Sequence, residues 1–404
     1  MTSLRDAQPA HAAHIITSDE EALQLAHQLA KEFAPGAAAR DAERLLPWGE
    51  IEQFSASGLW GITVPKEYGG AGVSNVTLAA VIAIIGAADS SLAQIPQNHF
   101  YALEVLRVGG SPEQLQFFYA LALQGQRFGN ALAEIGHKDY KRRTHLAPDA
   151  EKGGFRISGR KFYCTGALYA QWIPTLVVDH NEITFLAFVP RQSPGVTIID
   201  DWDGFGQRLT GSGSVEFDQV WVDADWVVPF KASFDRPTTI GPLAQLLHAA
   251  IDQGIAQGAY AATLDFVRAH ARPWIDSGDT RAVDDPLTLE RVGDLAVRLR
   301  AADALLRRAG RAVDQAQAAL SAESVASASI AVAEARVLTT GISLLAGTRL
   351  FELGGSGASL SELNLDRFWR NARTHTLHDP VRWKFHAVGN YYLNDVLPPR
   401  QGTI

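Results

Sequence analysis

The residues best equipped for chemistry lie late in the chain, in Asp366-Arg367-Phe368-Trp369-Arg370-Asn371-Ala372-Arg373-Thr374-His375-Thr376-Leu377-His378-Asp379-Pro380. Arginines, imidazoles and carboxylates alternate there with aromatic and aliphatic area, a mixture that is costly to bury without partners. Two readings stay open: a site where the chain meets a ligand, or a surface turn pinned by arginine–carboxylate pairs. An imidazole titrates near neutrality, so His378 can act as a base or donate a hydrogen bond. His375 stands one helical turn earlier, and His-x-x-His can hold a metal, but no third ligand at suitable spacing is evident. No metal is therefore expected. Pro380 lacks an N–H and crowds the preceding turn, which closes the segment.

Three kinds of element must position these groups. Ser18-Asp19-Glu20-Glu21 reads as a capping box that opens a helix, with Ala22, Leu25, Leu29 and Phe33 at helical spacing until Pro35-Gly36. Helices are expected through Trp48, Ile51 and Phe54 to Gly58, and over residues 76–88 and 97–108. Between them, residues 61–72 start apolar and extended and end in glycines. After about Phe128 the pattern alternates as half-buried strands do, over residues 154–164, 175–179, 183–189, 196–199 and 215–222. Asp179-His180-Asn181-Glu182 fits a hairpin connection. Long apolar-striped helices return over residues 239–269, around 292–306 and over 324–345, which argues for a four-helix bundle. The expected fold is α+β: an N-terminal helical domain (1–127), a middle β-domain (128–230), and a C-terminal four-helix bundle with its tail (231–404).

Composition excludes several classes. A chain of 404 residues that is 47% hydrophobic and 20% charged is an ordinary globular protein. A formal net charge of −8 argues against a general nucleic-acid binder, which needs a cationic face. Cys164 is the only cysteine, so neither an intrachain disulfide nor a cysteine-rich metal site can form, and a reducing cytoplasm fits. Residues 1–14 hold no apolar run of signal-peptide length, no later stretch approaches a membrane span, and no repeat is present.

The helical–β–helical order, together with Val64-Pro65-Lys66-Glu67-Tyr68-Gly69-Gly70-Ala71-Gly72, resembles the acyl-CoA dehydrogenase superfamily over nearly the whole chain. Seven segments in order narrow the likeness to its reduced-flavin-dependent monooxygenases, such as the dibenzothiophene and SfnB-type sulfur-acquisition enzymes. They are Ala88-Asp89-Ser90-Ser91-Leu92, Gly129-Asn130-Ala131, Phe162 through Ala167, Asp201-Trp202, Gly211-Ser212-Gly213-Ser214, Ala271-Arg272-Pro273-Trp274, and the segment that ends at Pro380.

The resemblance implies oxygen transfer to a small organosulfur compound through a C4a-hydroperoxyflavin. FMN would arrive reduced from a flavin reductase, with FAD as the other candidate, in a homotetramer. In the dehydrogenases a glutamate late in the last domain takes the substrate's α-proton; the comparable turn here carries His378. The likeness puts His378 at the flavin C4a region and Thr165 near flavin N5. It puts Asn130, Trp202 and Ser212 against the ring and its tail, and Arg272 on the phosphate from a neighbouring subunit. Thr165 could equally cap a strand end. The glycines of Gly354-Gly355-Ser356-Gly357 could approach an anion or simply end a helix.

On the substrate side, Gln94 and Asn98, with His99 adjacent, stand where the dibenzothiophene enzymes carry a histidine and a tyrosine. Carboxamides hydrogen-bond without titrating, which implies a smaller or more polar substrate. Pro96 between them should bend the helix. Two other functions compete: an FAD-dependent acyl-CoA dehydrogenase, which requires an essential carboxylate, and a non-catalytic assembly protein without flavin.

Overall fold

The computed structural model describes residues 12–135, 141–400 and 403–404, so most of the 1–14 stretch lies outside it. Helix α1 (Asp19–Phe33) opens at Ser18, whose hydroxyl accepts the Glu21 N–H at 3.2 Å. The expected reciprocal bond is replaced: the Glu21 carboxylate takes the Thr17 N–H and hydroxyl, each at 2.8 Å. After α2 (Ala37–Glu43) and α3 (Trp48–Ala56), the segment expected to be extended coils instead. Its residues Leu59–Gly61 and Lys66–Tyr68 form 3-10 turns, with Gly58 (φ 81°) and Gly69 (φ 89°) supplying the left-handed corners.

Helix α4 (Asn75–Ala88) is apolar on nearly every side and runs through the centre of the core. Asp89 then accepts the N–H groups of Ser91 and Leu92 and starts the short α5 (Ser90–Gln94). Pro96 does more than bend the chain: it separates α5 from α6 (Gln97–Gly109). Helix α7 (Pro112–Leu123) follows.

The middle region is one seven-stranded sheet of order β5-β6-β2-β1-β3-β4-β7. Its strands are β1 (His145–Pro148), β2 (Phe155–Lys161), β3 (Trp172–Val178), β4 (Thr184–Pro190), β5 (Val196–Ile199), β6 (Ser214–Val222) and β7 (Val227–Pro229). All pairings are antiparallel except β1 with β3. The short β1 and β7 carry too little alternation to be read from sequence. Strand β3 is buried at all seven positions, as a strand covered on both faces must be.

Three long helices, α8 (Ile240–Ala269), α9 (Pro286–Ala318) and α10 (Ala322–Gly354), pack against one another, with α11 (Arg367–His375) and α12 (Arg382–Asn394) against α10. Contrary to the sequence expectation, α10 is long and apolar enough to cross a membrane, yet 67% of its apolar window is buried in the fold. Helices α4 and α8 touch backbone to backbone: a Cβ on Gly254 would meet the Ala83 carbonyl at 2.5 Å. That close approach helps seat α8, which carries His248 and Asp252 into the interior. The glycine run ends α10, with the Gly355 N–H returned to the Phe351 carbonyl at 2.9 Å, so it forms a helix terminus.

Candidate active site

A cavity of about 510 Å³ lies where the three regions meet, a size ordinary for a cofactor or small-molecule site. Helices α5 and α6 contribute Gln94, Gln97, Asn98 and Tyr101. Loops of the sheet region contribute Asn130, Tyr163, Thr165, Trp202, Gln207, Thr210 and Ser212. Gln245 and His248 come from α8, and Thr374, His378 and Asp379 from α11 and the turn after it. Among the described residues, no lysine or arginine lines the cavity, and Asp379 is the one acid that does.

The sheet side is a wall of hydroxyls and amides held in strained backbone. Tyr163 (φ 56°) and Gln207 (φ 51°) occupy the left-handed region without being glycine. Gln207 is held there from several directions. Its N–H donates to Asn371 Oδ1 at 2.7 Å, and its carbonyl accepts from Trp202 Nε1 and Thr210 Oγ1, each at 2.9 Å. A hydroxyl chain starts at the same carbonyl. Thr210 donates to it, so Thr210 accepts from Ser212 at 2.6 Å, and Ser212 in turn accepts from Thr165 at 2.8 Å. Each hydroxyl has one proton. Thr165 therefore offers the cavity a lone pair.

Two polar atoms of this wall, Asn130 Oδ1 and Gln207 Nε2, are buried without a partner, although Asn130 Nδ2 reaches the Tyr163 carbonyl at 3.2 Å. Buried orphans of this kind call for a ligand. An acceptor and a donor fit the isoalloxazine edge of FMN, where one N–H lies between two carbonyls.

The helical side is a wall of imidazoles. His378 Nδ1 lies 2.7 Å from the His375 carbonyl, which can only accept, so Nδ1 carries the proton. Nε2 of neutral His378 is then an acceptor, and Gln94 Nε2 donates to it at 3.2 Å. The ring is exposed at the cavity wall, but desolvation by the protein around it lowers its pKa, and Arg336 lowers it further against the pull of the His375 carbonyl. The expected donor role of His378 is thus corrected: while neutral it accepts.

The atoms of His248, His375 and His378 that could ligate a metal lie within 4.8 Å of one another. Both His375 nitrogens are already engaged, one by Asp252 at 2.5 Å and one by His248 at 3.1 Å. The trio thus forms a hydrogen-bonded chain, and no metal is assigned to it.

Comparison with known proteins shows the family. Residues 17–126 match the model for the acyl-CoA dehydrogenase N-terminal domain, and residues 246–383 that for its C-terminal domain. A dibenzothiophene monooxygenase of Rhodococcus erythropolis is 33% identical over 94% of this chain and 95% of its own length. The chain belongs to the acyl-CoA dehydrogenase superfamily. The probable FMNH2-dependent monooxygenase SfnC of Pseudomonas putida is 32% identical over 96% of this chain and 98% of its own. The FMN-bound crystal structure of TdsC from Paenibacillus sp. A11-2 superposes with a TM-score of 0.90 at 31% identity, covering 95% of this chain and all of the other.

Against this superfamily fold, the sequence-derived residues fall into two groups. His378, Thr165, Asn130, Trp202, Ser212, Gln94 and Asn98 all line the cavity. His99 does not, and its assignment to substrate is corrected. The ring is fully buried, with Nε2 donating to the Trp60 carbonyl at 2.8 Å and Nδ1 accepting the Phe128 N–H at 3.1 Å. Burial holds its pKa down at about 3, so it is a neutral structural strut between α6 and the sheet region. Arg272 is exposed and outside the cavity of its own chain. Cys164 is buried, with its thiol pushed up to about 12, and is therefore inert.

Sequence reasoning missed Gln207, Tyr163, Gln245 and above all His248. A signal for the last was available: His248 and Asp252 are four apart in the alanine- and leucine-rich first half of the helix, and so share one face.

Proposed function

We propose that this protein is a two-component monooxygenase that takes reduced FMN from a separate flavin reductase and moves one atom of dioxygen onto a small organosulfur compound. One observation carries the reading: a neutral imidazole, with no uncommitted carboxylate among the described lining residues, forms the reactive wall of the cavity. Asp379 accepts from Gln245 Nε2 at 2.9 Å and faces Lys384 Nζ at 3.9 Å. A dehydrogenase needs a free carboxylate base, so that alternative, with its FAD, is disfavoured.

When bound, FMN supplies two electrons to dioxygen. The sum is balanced by one proton: reduced flavin anion, dioxygen, acceptor and H⁺ give oxidised flavin, the oxygenated acceptor and water. Thr165 is suited to accept the ring N–H that only reduced flavin carries at N5, held by Ser212 and Thr210. Asn130 and Gln207 would fix the ring edge, and Trp202 would lie against it. His378 Nε2, steered by Gln94, would accept a hydrogen bond from the reacting oxygen and hand back any proton it takes to the oxygen that leaves as water. Closure against water matters, because a wet site would release hydrogen peroxide.

With no lysine or arginine among the described lining residues, we take the phosphate tail to meet Arg272 of a neighbouring subunit. Beside that arginine, Trp274 is 70% and Ile275 88% exposed, apolar area suited to an interface. We infer a homotetramer in the cytoplasm, with domains at 1–127, 128–230 and 231–404. Gln94 and Asn98 favour a substrate smaller or more polar than a fused aromatic.

The test is equilibrium binding of reduced FMN and of FAD, followed by aerobic turnover with a flavin reductase and with dimethyl sulfide and dibenzothiophene as probes. Tight binding of reduced FMN, and sulfoxide formed from the smaller probe, support the reading. Exclusive binding of oxidised FAD would sink it in favour of the dehydrogenase, and binding of neither would favour a protein without flavin.

A further inference from the structure

Behind the cavity wall lies a row of buried polar groups that the proposed reaction has not used. Asp252, on α8, is fully buried and receives Arg336 from α10, as well as the Thr340 hydroxyl at 3.0 Å. Its second oxygen lies 2.5 Å from His375 Nδ1. Burial raises the Asp252 pKa, but a carboxyl group faced by these three partners is held as the anion, chiefly by Arg336.

The anion fixes every proton that follows. His375 Nδ1 must donate to Asp252, so its Nε2 accepts, and the donor at 3.1 Å is His248 Nδ1. His248 is left with an unprotonated Nε2, on a ring that lines the cavity beside His378, 4.6 Å away between ring centres. The His248 carbonyl is tied to Arg336 at 3.1 Å, which braces the turn of helix that carries the ring.

We propose that His248 is a second proton-handling imidazole of the cavity, and that His375 and Asp252 are positioning residues that aim it and draw positive charge away from the reacting atoms. The inference rests on the cavity being the reduced-flavin site argued above. A proton taken from the cavity at His248 Nε2 is matched by passage of the Nδ1 proton to His375 Nε2. His375 then holds two protons, one of them against the Asp252 carboxylate, and His248 is neutral again with its tautomer reversed. No electrons move, and the return runs through the same two hydrogen bonds.

The groups around His248 decide how long the proton stays. His375 and His378 face it from the α11 region, Arg336 from α10 and Lys384 from α12, with Asp252 one turn along its own helix. Desolvation first, and then these neighbouring charges, hold both His248 and His375 well below the ordinary histidine range. A cation on the row is short-lived, so the row passes a proton and does not store it. That suits a reaction in which a proton leaves one reacting atom and returns to another, while the one proton consumed per turnover enters from solvent. A purely structural ion pair would need neither the linked imidazoles nor a ring at the cavity surface.

The first test uses wild-type protein free of flavin, labelled with ¹⁵N-histidine. Nδ1–H tautomers are expected at His248, His375 and His378, with the His375 proton far downfield from its carboxylate bond. An Nε2–H tautomer at His248 overturns the proposal. The second compares wild type with His248→Gln, following consumption of bound reduced FMN by dioxygen across pH. Equal affinity for reduced FMN, a loss of about tenfold or more in rate and a pH profile lacking one limb are expected. An unchanged rate and profile overturn the relay while leaving the flavin site standing. Failure of wild type to bind reduced FMN removes the site and the relay together. His375→Gln should let His248 sample both tautomers in the same spectra, and a single retained tautomer would count against the positioning role.

Discussion

The two walls of the cavity are built on opposite principles. The sheet wall uses groups that do not titrate near neutrality, namely Thr165, Ser212, Thr210, Asn130 and Gln207, and stores backbone strain at Tyr163 and Gln207. The helical wall has ordinary backbone but presents His378 and His248, titratable groups backed by a buried ion pair. Loops can adopt rare backbone angles and aim small hydroxyls at a flat ring. Helices offer rigid spacing four residues apart, which sets His248 and Asp252 on one face. In the proposed reaction, recognition and proton handling are thus divided between two kinds of secondary structure, and each can be disturbed separately.

The largest effect is expected at the foot of the helical wall. Asp252→Ala leaves Arg336 charged and unpaired in the interior, and should cost about 3–5 kcal/mol in a urea titration of stability. A loss below about 1 kcal/mol would mean that Arg336 finds water, and that the wall is less closed than described.

His378→Ala comes next. It should leave reduced-FMN affinity within about twofold, while oxygen transfer falls by on the order of 100-fold and hydrogen peroxide rises in its place. Unchanged coupling of FMN oxidation to product would remove His378 from the chemistry.

Acid should act through the buried histidines and leave the hydroxyls of the sheet wall untouched. His99, His248 and His375 are buried and neutral, with folded pKa values below the unfolded one near 6.5. The unfolded chain therefore binds protons first as pH drops. Stability is full above about pH 6.5 and falls below it, by up to about 1.4 kcal/mol per pH unit for each such histidine. Urea midpoints measured from pH 8 to pH 5 check the slope, and His99→Gln should reduce it by one histidine's share.

The smallest effect belongs to the sheet wall. Ser212→Ala breaks the hydroxyl chain and should weaken reduced-FMN binding by about 1 kcal/mol, roughly fivefold, equally at pH 6 and pH 8. A pH-dependent loss would show that this wall also handles protons.

Much of this was legible in the chain. Periodicities of about 3.6 and 2 residues mark the long helices and five of the strands, because amphipathic elements must bury one face. Proline and glycine mark the break between α5 and α6 and the end of α10. Residues 61–72 misled, since a short apolar run followed by glycines suits a coil of 3-10 turns as well as a strand. His99 misled for a related reason: adjacency in sequence to Asn98 says nothing about direction, and on a helix the neighbouring side chain points about 100° away.

Sequence by itself determined the order of the three regions, the resemblance, and the identities of His378, Thr165 and Gln94, since these follow from local pattern and motif. Tertiary structure alone decided which nitrogen of His375 and of His248 carries its proton. That choice depends on acceptors far away in the chain: Asp252 lies 123 residues before His375, and His375 in turn lies 127 after His248. A tautomer is set by what a folded neighbour can accept, and only folding brings that neighbour within hydrogen-bond reach.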